Sequence, residues 1–194
     1  MHRRGEPGGG IARSLSRLLA AFGIGVLAGR AAGPTASAQD KAAADPYSEI
    51  LHVGVVVKDL DAAVARLKAM GFSDIRVSPP SKGVDHTYHG RPIDVALKQA
   101  FVHGTRPMIE LMEQLGDGPS PWGDYLKEHG EALHHVAFRI PDTGPELEKY
   151  RGLGLEAIAS GKWPEGQTRW GTFHYVQDPK GGVIVELISR IPRK

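Results

Sequence analysis

An α+β fold of two tandem β-α-β-β-β modules is predicted by two observations. The first is a repeat. Leu51-His52-Val53-Gly54-Val55-Val56-Val57-Lys58-Asp59 is echoed by Leu133-His134-His135-Val136-Ala137-Phe138-Arg139-Ile140-Pro141-Asp142. Aligned on His52 and His135, both read His, an apolar strand, a turn with Asp, and a helix-like segment. The second is how each half ends. Both close on a strand with a central Glu, Met108-Ile109-Glu110-Leu111-Met112 in one and Val183-Ile184-Val185-Glu186-Leu187-Ile188 in the other. A duplication constrains the fold more than any single strand, because each half checks the other.

The elements follow in order. Residues 49–57 alternate and are β-branched, which predicts a strand. Asp59 then caps a helix whose apolar positions Leu60, Ala63, Val64, Leu67 and Met70 share one face, and Gly71 ends it. Residues 72–77 read as a short strand. Residues 78–91 hold Pro79-Pro80, two glycines and several polar residues, which predicts a loop. Strands follow at 93–103 and 107–114, joined by the turn Gly104-Thr105-Arg106-Pro107.

A Gly/Pro/Ser/Asp linker leads to a connecting helix at 122–130, with Tyr125 and Leu126 facing in. The pattern then restarts with a strand at 133–140, a helix at 144–152, and strands at 155–159, 168–177 and 182–190. Asp178-Pro179-Lys180-Gly181-Gly182 makes the hairpin turn between the last two. The first module spans 49–115, a linker with a short helix 116–131, and the second module 132–194.

The chain's 194 residues suffice for one ordinary domain or two small fused modules. With 41% hydrophobic and 24% charged residues the composition is globular. The absence of cysteine excludes disulfides, thiolate metal sites and Cys nucleophiles, so any metal must be held by His and carboxylates.

Residues 1–38 read differently. Arg3, Arg4, Arg13 and Arg17 precede an apolar run from Leu18 to Ala28, and Ala36-Ser37-Ala38 supplies small residues before Gln39. This is the pattern of a secretory signal peptide cleaved after Ala38. It predicts a periplasmic or secreted protein whose mature chain has no membrane span and starts with a short linker, 39–48. The apolar run is too short to span a bilayer. The leader carries five arginines against one glutamate, more positive charge than the whole chain's net +2. The remainder is therefore net acidic, and no basic surface points to nucleic acid.

These motifs resemble the vicinal oxygen chelate superfamily, the glyoxalase/bleomycin-resistance/dioxygenase fold. Within it they are most similar to methylmalonyl-CoA epimerase. The resemblance rests on the His52 start, Ile109-Glu110-Leu111, Leu133-His134-His135-Val136-Ala137 and Asp178-Pro179-Lys180-Gly181-Gly182-Val183-Ile184-Val185-Glu186-Leu187, and covers roughly residues 50–190.

It implies a curved mixed sheet around a metal-centred cavity, with His52, Glu110, His135 and Glu186 as ligands. Strand alternation agrees, since only residues of inward parity reach such a cavity. Two imidazoles and two carboxylates suit one divalent ion such as Co, Ni, Mn, Zn or Fe. His134 has the opposite parity to His135 and reads as a packing or supporting residue.

The implied chemistry is an epimerase, isomerase or lyase reaction on a small carbonyl or acyl substrate. It proceeds through a metal-stabilised enolate, with Glu186 or Glu110 taking the proton. Lys98, Gln99, Arg169, Trp170 and His174 are the expected substrate contacts, with Trp163 a further candidate, while His86, His89 and His103 read as surface residues. A homodimer is a further expectation. Two alternatives are a dioxygenase, which typically uses two His and one carboxylate, and a metal-free binding protein like the drug-sequestering members of the superfamily.

Overall fold

The computed structural model describes residues 45–163 and 170–190. The expected leader 1–38, its cleavage point and Arg169 lie outside the described residues. The first module contributes β1 (His52–Val56), α1 (Leu60–Ala69), β2 (Ile75–Lys82), β3 (Val84–Tyr88), β4 (Arg91–Pro92), β5 (Ala96–Val102) and β6 (Met108–Leu115). After α2 (Pro121–His129) the second contributes β7 (Ala132–Arg139), α3 (Thr143–Gly152), β8 (Glu156–Lys162), β9 (Trp170–Gln177) and β10 (Ile184–Arg190).

Each helix starts where the sequence provides an oxygen to cap it. The carboxylate of Asp59 accepts from the Ala62 amide, that of Asp142 from Gly144, and the Ser120 hydroxyl from Gly123. Pro121 opens α2 at a position where no backbone donor is required.

The strands form one ten-stranded mixed sheet in the order β2-β5-β6-β1-β7-β10-β9-β8-β3-β4. β1 runs parallel to β6, β7 runs parallel to β10, and the two halves join through the antiparallel β1–β7 pair. The sheet's convex face carries two small cores. One packs Leu60, Ala63 and Val64 of α1 on Ala100 and Leu111, and the other packs Ile140, Val176 and Leu187 with Leu147 and Tyr150 of α3. The larger core lies on the concave side, where Trp122 of α2 meets Val56, Met112, Phe173, Tyr175 and Ile188.

One expectation is corrected. Residues 78–91, expected as a loop, are mostly strand. β2 continues through Pro79-Pro80, with a register shift between Ser78 and Ser81. Proline is tolerated there because β2 is an edge strand and the shift relieves its missing donor. β3 then leaves the first module altogether and pairs antiparallel with β8 of the second. Only Gly83 separates β2 at one end of the sheet from β3 near the other, so the sheet must curl. The concave side is thus enclosed by both modules of one chain.

Candidate metal centre

Glu110, His52, His135 and Glu186 sit on four consecutive strands of the sheet, β6-β1-β7-β10. Gly54 is the hinge of this arrangement. It pairs with Glu110 on one side and His135 on the other. A Cβ on Gly54 would overlap the His135 imidazole, so the glycine makes the seat for that ring.

All four residues are at least 96% buried. One ligand atom from each lies within 4.8 Å of the others. Nε2 of His52 is 3.1 Å from Glu110 Oε2, 3.0 Å from Glu186 Oε2 and 3.0 Å from His135 Nε2. Nε2 of His135 is 3.1 Å from Glu186 Oε2 and 3.5 Å from Glu110 Oε2. Glu186 Oε2 is nevertheless buried without a hydrogen bond. The nitrogens and carboxylate oxygens crowd into one small space within 4.8 Å of each other.

That spacing fits a metal ion. Ligands about 2.1 Å from an ion and at right angles to each other stand about 3.0 Å apart. Electrostatics agree. Two buried carboxylates need two compensating positive charges, supplied either by two imidazolium protons or by one divalent ion. Burial disfavours the charged form of His52, but Glu110 and Glu186 outweigh it and lift its pKa to about 10. His135 is also raised, Glu186 and Glu110 again overcoming its burial. Burial would push both carboxylates up, yet the neighbouring imidazoles hold Glu110 and Glu186 below the usual carboxylate range.

A chain of contacts fixes the His135 tautomer. His134 Nε2 is 3.2 Å from the Pro121 carbonyl, which only accepts, so that nitrogen carries the proton. His134 Nδ1 must then accept from His135 Nδ1, 3.0 Å away, so the neutral form of His135 presents its Nε2 lone pair to the centre. Burial, reinforced by His135, depresses the His134 pKa to about 3 and keeps it neutral. On the other side Gln99 donates from Nε2 to Glu110 Oε1 at 2.6 Å.

The cluster opens on a cavity of about 660 Å³. Gln99 and Trp163, both expected as substrate contacts, line it. Lys98 does not belong there. It has the opposite parity to Leu97 and Gln99 and reaches Asp61 on α1 at 2.5 Å. His174 likewise alternates with the cavity-lining Phe173 and Tyr175 and pairs in register with Leu187, on the α3 side of the sheet. Trp170 opens β9, and its side chain lies outside the described residues.

Two histidines read as surface residues, His86 and His103, line the cavity instead. His86 was hidden by the missed strand β3. The phenol of Tyr175 was not anticipated either. It accepts from Trp122 Nε1 at 3.1 Å, and its ring lies 4.9 Å from that of His135. The alternation Phe173-His174-Tyr175 was the available signal.

Residues 51–173 match the family model of the glyoxalase/bleomycin resistance protein/dioxygenase superfamily. An ethylmalonyl-CoA/methylmalonyl-CoA epimerase of Cereibacter sphaeroides is 24% identical over 111 residues, 57% of this chain and 75% of that protein. Among solved structures, methylmalonyl-CoA epimerase from Mycobacterium tuberculosis aligns with a TM-score of 0.53 at 22% identity, covering 77% of this chain and 93% of that one. A Streptomyces coelicolor methylmalonyl-CoA epimerase in complex with 2-nitronate-propionyl-CoA aligns with a TM-score of 0.51 at 21% identity, over 74% and 98%. A hypothetical protein from Bacillus halodurans aligns at 0.52 and 18% identity, over 75% and 96%. With the expected curved sheet and the paired half-modules in place, the chain belongs to the glyoxalase/bleomycin resistance protein/dioxygenase superfamily.

Proposed function

We propose that this protein is a metal-dependent enzyme that moves a proton beside a carbonyl group, an isomerase, epimerase or lyase acting on a small carbonyl or acyl compound. The observation that carries the reading is the convergence of two imidazoles and two carboxylates, all buried, on one point. A divalent ion held by His52, Glu110, His135 and Glu186 supplies a Lewis acid for a carbonyl oxygen.

The protein's own residues do the rest. Gln99 ties Glu110 through its Oε1, and among the described residues no such amide holds Glu186, so Glu186 is the carboxylate able to leave the cluster and take a proton. The C–H electron pair then passes into the carbonyl, and Glu186 returns the proton to the same or a neighbouring carbon. The aromatic walls keep water from the carbanion, which protects it from random quenching. Four protein ligands, with two carboxylates among them, favour this chemistry over the dioxygenase alternative, whose sites use two His and one carboxylate. The segment 1–38 supports export, and amino-terminal sequencing of the mature protein tests it.

Metal analysis of the purified protein tests the central claim. We expect about one divalent ion per chain, lost in His135→Ala. In deuterated water the loaded protein exchanges the C–H beside a substrate carbonyl, and Glu186→Gln loses at least about a hundredfold in rate while keeping the ion. Protein with no ion, and unchanged metal content in His135→Ala, removes the proposal.

A further inference from the structure

The cavity has two polar ends and an aromatic middle. From the cluster, rings follow one another along β9: His135 to Tyr175 at 4.9 Å between centroids, Tyr175 to Phe173 at 5.3 Å, and Phe173 to His86 at 5.2 Å. Trp163 adds a further ring 5.3 Å from Phe173. Trp122 and Tyr175 satisfy each other through the indole N–H and the phenol oxygen, so the wall offers ring surface and few unspent polar groups. Across from it, Phe101 stands edge-on to His52 at 6.2 Å, and Pro79 and Pro80 contribute no backbone donors.

The far end is built around His86. Its imidazole sits against Gly83 and Gly161, and a Cβ on either would overlap the ring. It is further held by Trp122 at 5.9 Å. Its Nδ1 is buried without a partner in the protein. In native proteins such an atom is met by an ordered water, an ion or a ligand. Burial lowers the pKa of this histidine, so it meets a ligand as a neutral ring with both donor and acceptor capacity.

Charge narrows the choice. Among the described residues lining the cavity there is no lysine or arginine. The lysines of the adjoining strands are engaged elsewhere, Lys82 with Asp94 at 2.7 Å, Lys98 with Asp61 at 2.5 Å and Lys162 with Asp85 at 2.8 Å. Among the described residues a ligand bearing several phosphates would find no cationic partner of the kind such groups are bound by. A volume of about 660 Å³ suits a molecule of drug size with a ring.

We infer that the substrate is an aromatic hydroxy acid, or an aromatic oxo acid, that carries a C–H beside its carbonyl. Its oxygen pair lies at the four-residue cluster, its ring lies along Tyr175 and Phe173, and a polar group at the far end is met by His86. This rests on the reading of the cluster as the reaction centre.

Calorimetric titration of the full chain, after its metal content is measured, tests it with benzoylformate, 4-hydroxybenzoylformate, pyruvate and methylmalonyl-CoA as binding probes. Benzoylformate should bind at least about tenfold more tightly than pyruvate, and the 4-hydroxyl should add about another tenfold. His86→Phe and Gly161→Ala should each erase the hydroxyl's gain and leave benzoylformate binding in place.

Pyruvate matching benzoylformate, or methylmalonyl-CoA binding most tightly, overturns the assignment without needing any variant. An undiminished hydroxyl gain in a folded His86→Phe protein overturns the role of His86. If benzoylformate is preferred by a protein that holds no ion, the metal reading fails and the aromatic one stands. An ion bound with no aryl preference gives the reverse.

Discussion

His134 touches neither the cavity nor the convergence point, yet it decides what His135 can do. By accepting from His135 Nδ1 and donating to the Pro121 carbonyl, it turns the His135 lone pair inward. Replacing it with Phe keeps the volume and the packing on Tyr125 and Tyr175 but removes that control. We expect His134→Phe to fold and to bind its metal about 10- to 100-fold more weakly, as measured by competition with a chromophoric chelator.

At this scale the sequence was partly legible. His52, Glu110, His135 and Glu186 stood out because a duplication placed each pair at equivalent strand positions. Lys98 and His174 were misplaced because a lone strand does not declare which of its two faces is inward. Both alternate with residues that do line the cavity. His86 has no face to be placed on where the local sequence reads as a loop.

Among elements, α2 has the most to do with the site, since it plants Trp122 in the concave core and offers the Pro121 carbonyl to His134. Its start depends on Ser120, fully buried, whose hydroxyl accepts from Gly123 and donates to Gln114. Ser120→Ala should destabilise the protein by about 1–2 kcal/mol through the lost cap and the unsatisfied Gln114 oxygen, read from urea unfolding.

The helices were read well, within a residue or two of their observed bounds, because Asp59, Asp142 and the 3.6-residue spacing mark them locally. β3 was not, because its partner β8 lies more than seventy residues away in the chain and belongs to the other module. Pairing at such distance leaves little trace in local sequence. The Pro79-Pro80 pair pointed the wrong way because an edge strand forgives what a central strand would not.

For the whole molecule, the cluster links metal, protons and stability. In the metal-free protein His52 keeps its proton up to about pH 10, and ligation requires its neutral form. Loading therefore releases protons, and affinity should strengthen as pH rises from about 6 to about 9, seen as acidification of a weakly buffered solution on adding Zn(II). An ion that bound the folded chain alone, at about a thousandfold over Kd, would contribute about 4 kcal/mol and raise Tm by roughly 10 °C. Dialysis against a chelator should reverse the shift. Among the described residues no helix is long and apolar enough to cross a membrane.

The crossing at Gly83 has one more consequence. A duplicated fold of this kind invites its two halves to drift apart or to trade places with those of another copy. Here a ribbon from the first half is sewn onto the far border of the second, like a drawstring through a purse. Neither half can leave without tearing that seam, so the vessel is sealed from within a single polypeptide, and whatever it holds must come and go past its rim.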